Sequence, residues 1–212
     1  MKNRFQITTE RLVYLFGGIL LVGSIVSGIL NPDKRWMEWH FSRLGEGGML
    51  SAYIFNISLV IAACLIFFIG RRITDEITKI NGKPSKDLLN AKKIIGCSFY
   101  LVTVCLLIVA FFPFDQNQVI HNIFGYSMLF TFLYLCIFIS RILPIFSRRY
   151  YLYGFGIIAT TVICYIFFLV FKVITLLEVE TILFSMLYIW LVLFVKGIHL
   201  VSSERPVLAI NS

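Results

Sequence analysis

Six long apolar stretches, near residues 12–30, 50–70, 94–112, 121–140, 151–173 and 181–201, constrain this chain more than any other feature. The hydrocarbon core of a bilayer is about 30 Å thick, and a helix rising about 1.5 Å per residue crosses it in about 20 residues. Each stretch has roughly that length. Backbone N–H and C=O groups cannot stay unpaired in lipid, so only helices or closed barrels span it, and the alternation expected of barrel strands is absent. The expected fold is all-α: an integral membrane six-transmembrane-helix bundle forming one domain over residues 1–212.

Composition excludes the soluble alternatives. Hydrophobic residues make up 59% of the chain and charged residues 14%, against roughly 25% charged in a soluble domain. A net charge of +8 raises the question of nucleic acid, but the basic residues lie in short stretches between apolar runs rather than on one face, so no nucleic-acid partner is expected. The five cysteines (Cys64, Cys97, Cys105, Cys136, Cys164) all fall inside apolar runs without metal-type spacing and read as buried thiols. No metal or other cofactor is expected. The first run exceeds the roughly 7–15 residues of a signal-peptide core and reads as a retained helix.

Basic residues set the expected orientation. Fourteen lie in the N-terminal segment (Lys2, Arg4, Arg11), the 71–93 connection (Arg71, Arg72, Lys79, Lys83, Lys86, Lys92, Lys93), the 141–149 connection (Arg141, Arg148, Arg149) and the tail (Arg205). The alternate connections carry four: Lys34, Arg35, Arg43 and, at the edge of the fifth run, Lys172. The positive-inside rule then places both termini in the cytoplasm and the stretch WHFSRLGEGG, Trp39–Gly48, outside. The inner NGKPSKD segment reads as a turn between two helical extensions, with Ser85 as a helix cap. In GSIVSG, the pairs Gly23/Ser27 and Ser24/Gly28 are spaced for close helix packing, within the chain first and with a membrane-protein partner or second copy as the alternative.

Chemically capable side chains concentrate in two outer connections. In NPDKRWMEWHF, Asn31 as cap, Pro32 at the first helical position and Asp33 at the positive dipole end predict a short interfacial helix, with Met37, Phe41 and Leu44 on one face. The glycines of GEGG permit a reversal into the second span. In FFPFDQNQVIH, Pro113 ends one helix, Asp115 with Gln118 reads as a capping-box start of the next, and His121 falls near the membrane boundary. Both connections lie at the same end of a compact bundle, so His40, Ser42, Glu46, Asp115 and His121 are expected to converge.

At these residues the chain resembles a bacterial multipass family, domain of unknown function 998, and more distantly the Frag/DRAM/Sfk-type membrane proteins. The resemblance rests on Ser42, Leu44 and Gly45, on the pair Phe55–Asn56, and on Phe112, Pro113, Asp115 and His121, in order, over roughly residues 12–201. Arg43 departs from the small or acidic residue more usual before Leu44–Gly45. The resemblance implies six helices and a bacterial cytoplasmic membrane; it implies no activity.

Three functional readings stay open. One is a site for membrane lipid or another envelope component, formed by His40, Ser42, Arg43, Glu46, Asn56, Asp115 and His121, with Trp36, Trp39 and Arg43 at the rim. A second gives the same polar residues a structural task, bonding the two outer loops together. The third is an interfacial lipid hydrolase with Ser42 as nucleophile, His121 as base and Asp115 or Glu46 as orienting carboxylate; its variant is a zinc site on His40, His121 and one of those carboxylates. No GxSxG or HExxH motif singles out either chemistry. Transport is disfavoured because Lys172 and Lys196 lie near helix ends and no charge lines the middle of the bundle; Asn56 reads as an interhelical hydrogen-bonding residue.

Overall fold

The computed structural model describes residues 8–80, 86–142 and 148–204. They form α1 (Thr9–Leu30), α2 (Leu50–Ile80), α3 (Lys86–Phe111), α4 (Gln118–Ile142), α5 (Arg148–Ile166) and α6 (Leu176–Glu204), with no strand among the described residues. All six helices are long and apolar enough to cross a bilayer. Consecutive helices pack side by side, and α6 closes the bundle against α1, α2 and α5. Thr9 and Glu204 therefore share one end; the opposite, distal end carries the 31–49, 112–117 and 172–175 connections.

The α2–α3 pair forms much of the core. Buried Leu59, Ala62, Ile66, Ile69, Ile73 and Ile77 on α2 recur every three or four residues, as do Leu88, Ala91, Ile95, Phe99, Val102 and Leu106 on α3. That spacing puts each set on one helical stripe. On α6 the buried Trp190 stacks on Phe194 with ring centroids 5.2 Å apart. Lipid tails are as apolar as these side chains, so close packing rather than water exclusion holds such helices together. The expected small-residue contacts of α1 are intramolecular: Gly23 lies against the side chain of Ser58, and buried Ser27 donates its hydroxyl hydrogen to the carbonyl of Ser51 at 2.8 Å.

Several boundaries differ from the sequence expectation. α2 continues ten residues past position 70 and α3 begins at Lys86, as expected of helical extensions; the turn between them and the Ser85 cap lie outside the described residues. α5 runs into a π-helical segment, Phe167–Phe171, which stops at Lys172 in the left-handed region (φ 52°).

The first distal connection contains two 3-10 turns, Lys34–Glu38 and Phe41–Gly45, instead of one continuous interfacial helix. Asn31 does not start a helix. It ends α1, its N–H bonding the Ser27 carbonyl while its side chain accepts from Asp33 N, and Asp33 caps the first turn through Arg35 N. The backbone bends at Trp39, so the expected shared face of Met37, Phe41 and Leu44 is split: Met37 is exposed and Leu44 wholly buried. Gly47 and Gly48, at φ 84° and 60°, then reverse the chain into α2. At the second connection Asn117, not Asp115, caps α4, accepting from Ile120 N at 3.0 Å.

Candidate functional site

The distal connections bring Ser42 and His121, 79 positions apart, into direct contact. Ser42 lies on the second 3-10 turn, whose Leu44 is packed into the core, and His121 is buried in the first turn of α4. His121 Nε2 is 2.9 Å from Ser42 Oγ, and His121 Nδ1 is 2.9 Å from the carbonyl oxygen of Phe112. A carbonyl only accepts, which puts the proton of a neutral ring on Nδ1 and leaves Nε2 to accept from the serine hydroxyl. Pro113 contributes indirectly: at the end of α3 the carbonyl of Phe112 meets the imidazole.

His40 backs this couple. It is buried, its ring 4.9 Å from that of Phe114, and Phe114 in turn sets its edge against His121 at 5.9 Å. Burial, helped by the nearby charge of Arg43 and by His121, lowers the His40 pKa from 6.5 to about 4, so its ring is neutral at physiological pH. His40 thus serves as an uncharged aromatic wall.

The charged groups pair beside the couple. Arg43 sits 4.5 Å above the Trp39 ring and its Nε donates to Glu46 Oε2 at 3.3 Å. Glu46 Oε1 is buried without a partner. Asp115 is exposed and its Oδ2 accepts from Gly47 N at 3.0 Å, tying the two distal connections together. Asn56 donates from Nδ2 to the carbonyl of Gly45 at 3.1 Å. The approach is close: a Cβ on Gly45 would lie 2.6 Å from Asn56 Oδ1, so only glycine fits without a shift.

His40, Ser42, Glu46, Asp115 and His121, expected to converge, lie at one end of the bundle, and Arg43 and Asn56 lie with them, but three roles change. Neither Asp115 nor Glu46 orients His121; a backbone carbonyl holds the position a triad gives to a carboxylate. The zinc arrangement is not formed: both His121 nitrogens and the bonded oxygen of Asp115 are already engaged, and no group of three His, Cys, Asp or Glu among the described residues is placed to hold a metal ion. Asn56 bonds the loop rather than another helix.

Two bonds from α6 escaped sequence reasoning. Glu180 Oε2 accepts from Phe41 N at 2.8 Å, and Leu177 N donates to the Trp39 carbonyl at 2.8 Å. A signal existed for the first: Glu180 falls within an apolar helix, where a carboxylate faces protein or water.

Fold and site together define a class, a bundle of six helices able to span a bilayer with a hydrogen-bonded Ser–His couple at one mouth. Comparison of the chain with protein-family models, with curated proteins and with solved structures finds no match.

Proposed function

We propose that this protein is an interfacial hydrolase that acts on an acyl ester of a membrane amphiphile, with Ser42 as nucleophile and His121 as general base. One observation carries the reading: Ser42 Oγ lies 2.9 Å from His121 Nε2 while the Phe112 carbonyl holds the other ring nitrogen in the tautomer a base requires. In this reaction Ser42 Oγ attacks the ester carbonyl as its proton passes to His121 Nε2. The ester C–O bond breaks and the proton leaves with the alcohol. Water, deprotonated by the same nitrogen, then attacks the acyl carbon; the bond to Ser42 Oγ breaks, the proton returns from His121 to Oγ, and the acid is released.

The surroundings favour an amphiphile. Exposed Trp39, Met49, Phe111, Phe112 and Val119 surround the polar mouth, so acyl chains in the bilayer would bring their head-end ester to the level of Ser42. The excess of basic residues in the connections at the opposite end supports an extracytoplasmic mouth under the positive-inside rule, and the resemblance to domain of unknown function 998 would make the membrane a bacterial cytoplasmic one.

A second reading, headgroup binding without turnover, is favoured by the missing carboxylate. A backbone carbonyl fixes the tautomer but adds no full charge to stabilise an imidazolium. The two readings separate in cells and in lipid-retaining mass spectrometry. Hydrolysis predicts that S42A and H121A, at unchanged abundance, each cause one ester-lipid pool to accumulate. Co-purification of one preferred lipid, with no pool altered by either variant, supports binding alone. Loss of abundance in both variants assigns the couple to loop tethering.

A further inference from the structure

We propose that Glu180 of α6 is the positioning residue for Ser42, an inference that rests on the hydrolase reading. The first N–H groups of any helical turn have no partner within it, and the residue before the turn usually supplies one from its side chain. His40 occupies that position for the Phe41–Gly45 turn and makes no such bond. The N–H of Phe41, adjacent to Ser42, is satisfied instead by Glu180 Oε2 at 2.8 Å, from 139 residues further along the chain.

The contact is one of three from the same face of α6. Leu177 N donates to the Trp39 carbonyl at 2.8 Å, and the Phe184 ring lies 6.4 Å from that of Phe41. Residues 177, 180 and 184 follow helical spacing and lie on one stripe. They hold the chain on both sides of His40, and so fix where the Ser42 turn begins. His121 fixes its partner from α4; the 2.9 Å contact therefore depends on two helices meeting through one short turn.

Placing a carboxylate at this half-buried position is costly, and among the described residues Glu180 belongs to neither of the two ion pairs. An apolar side chain would suit the apolar helix better. The bond to Phe41 is what the carboxylate supplies.

The experiment uses the full chain in lipid nanodiscs and reads two quantities: the rate at which a fluorophosphonate probe modifies Ser42, by mass, and deuterium uptake at the Phe41 amide. E180Q retains an acceptor of the same reach and keeps the labelling rate within about threefold. E180L removes the acceptor, and E180D keeps the carboxyl group but withdraws it by one methylene. Both lower the rate by about tenfold or more, since a displacement near 1 Å is enough to disrupt reacting geometry, and both raise uptake at Phe41. E180D keeps the test open if E180L fails to fold.

Wild-type labelling together with a protected Phe41 amide in E180L or E180D overturns the proposal, as does an E180Q that labels no faster than E180L. If Ser42 of the unaltered protein takes no probe while E180L and E180D both expose the Phe41 amide, the hydrolase reading fails and the clamp stands.

Discussion

The helical bundle and the distal mouth are built by different physics. Between α2 and α3 the stripes of Ile, Ala, Leu and Phe meet through many weak contacts, none of which is individually decisive. At the mouth, a few directional bonds join residues remote in sequence: Ser42 to His121, Asp115 to Gly47, Glu180 to Phe41. The first region spreads its stability over many contacts per side chain; the second depends on each bond separately. Damage in the bundle should spread and lower overall stability, whereas damage at the mouth should stay local and remove chemistry first.

The largest stability effect should come from the bundle. I66A, at a fully buried position, is expected to cost about 2–5 kcal/mol through a cavity the neighbours only partly fill. Reversible unfolding in mixed micelles measures it, and Ser42 labelling of the folded fraction should be unchanged. G45A should cost about 1–3 kcal/mol by forcing Asn56 or Phe55 away, with deuterium uptake rising at the mouth while the α2–α3 core stays protected. Global loosening in G45A would mean that the two regions are not separable.

Smaller effects sharpen the comparison at the joint and at the wall. S27A deletes the buried bond to the Ser51 carbonyl and should cost about 1 kcal/mol, shared by both regions because α1 and α2 meet there. The lowered His40 pKa gives a pH dependence of known sign. Unfolded His40 takes up a proton near 6.5 and the folded residue only near 4, so its contribution is complete above pH 6.5 and is lost as pH falls toward 4. Thermal denaturation at pH 7 and pH 5 should show a drop in the native protein and a smaller one in H40F. D115N retains an acceptor for Gly47 N and should change turnover less than about threefold. A loss near 10⁴-fold, typical of a triad carboxylate, would restore Asp115 to that role.

The bundle was readable in the sequence because length and hydropathy are local properties of each run. The mouth was only partly so. Convergence of the distal polar residues followed from topology, but their pairing did not, since His121 could have bonded Asp115 or Glu46 as plausibly as Ser42. The partner it took on its other side, the Phe112 carbonyl, has no residue identity to read. Asp115 does not cap α4 because Asn117, two residues later, takes that position and leaves the carboxylate for Gly47. Glu180 is not legible as a site residue because its partner is a backbone amide on another element.

The most direct measurement of the central claim is covalent modification of Ser42. The full-length protein in nanodiscs, treated with a fluorophosphonate carrying an alkyl chain, is followed by intact mass and peptide mapping. The account predicts one adduct, on Ser42, absent in S42A and slowed by about 10²-fold or more in H121A, the scale of a lost general base. An adduct rate unchanged in H121A, or no adduct on Ser42 in folded protein, would contradict it and leave the couple as a tie between two loops.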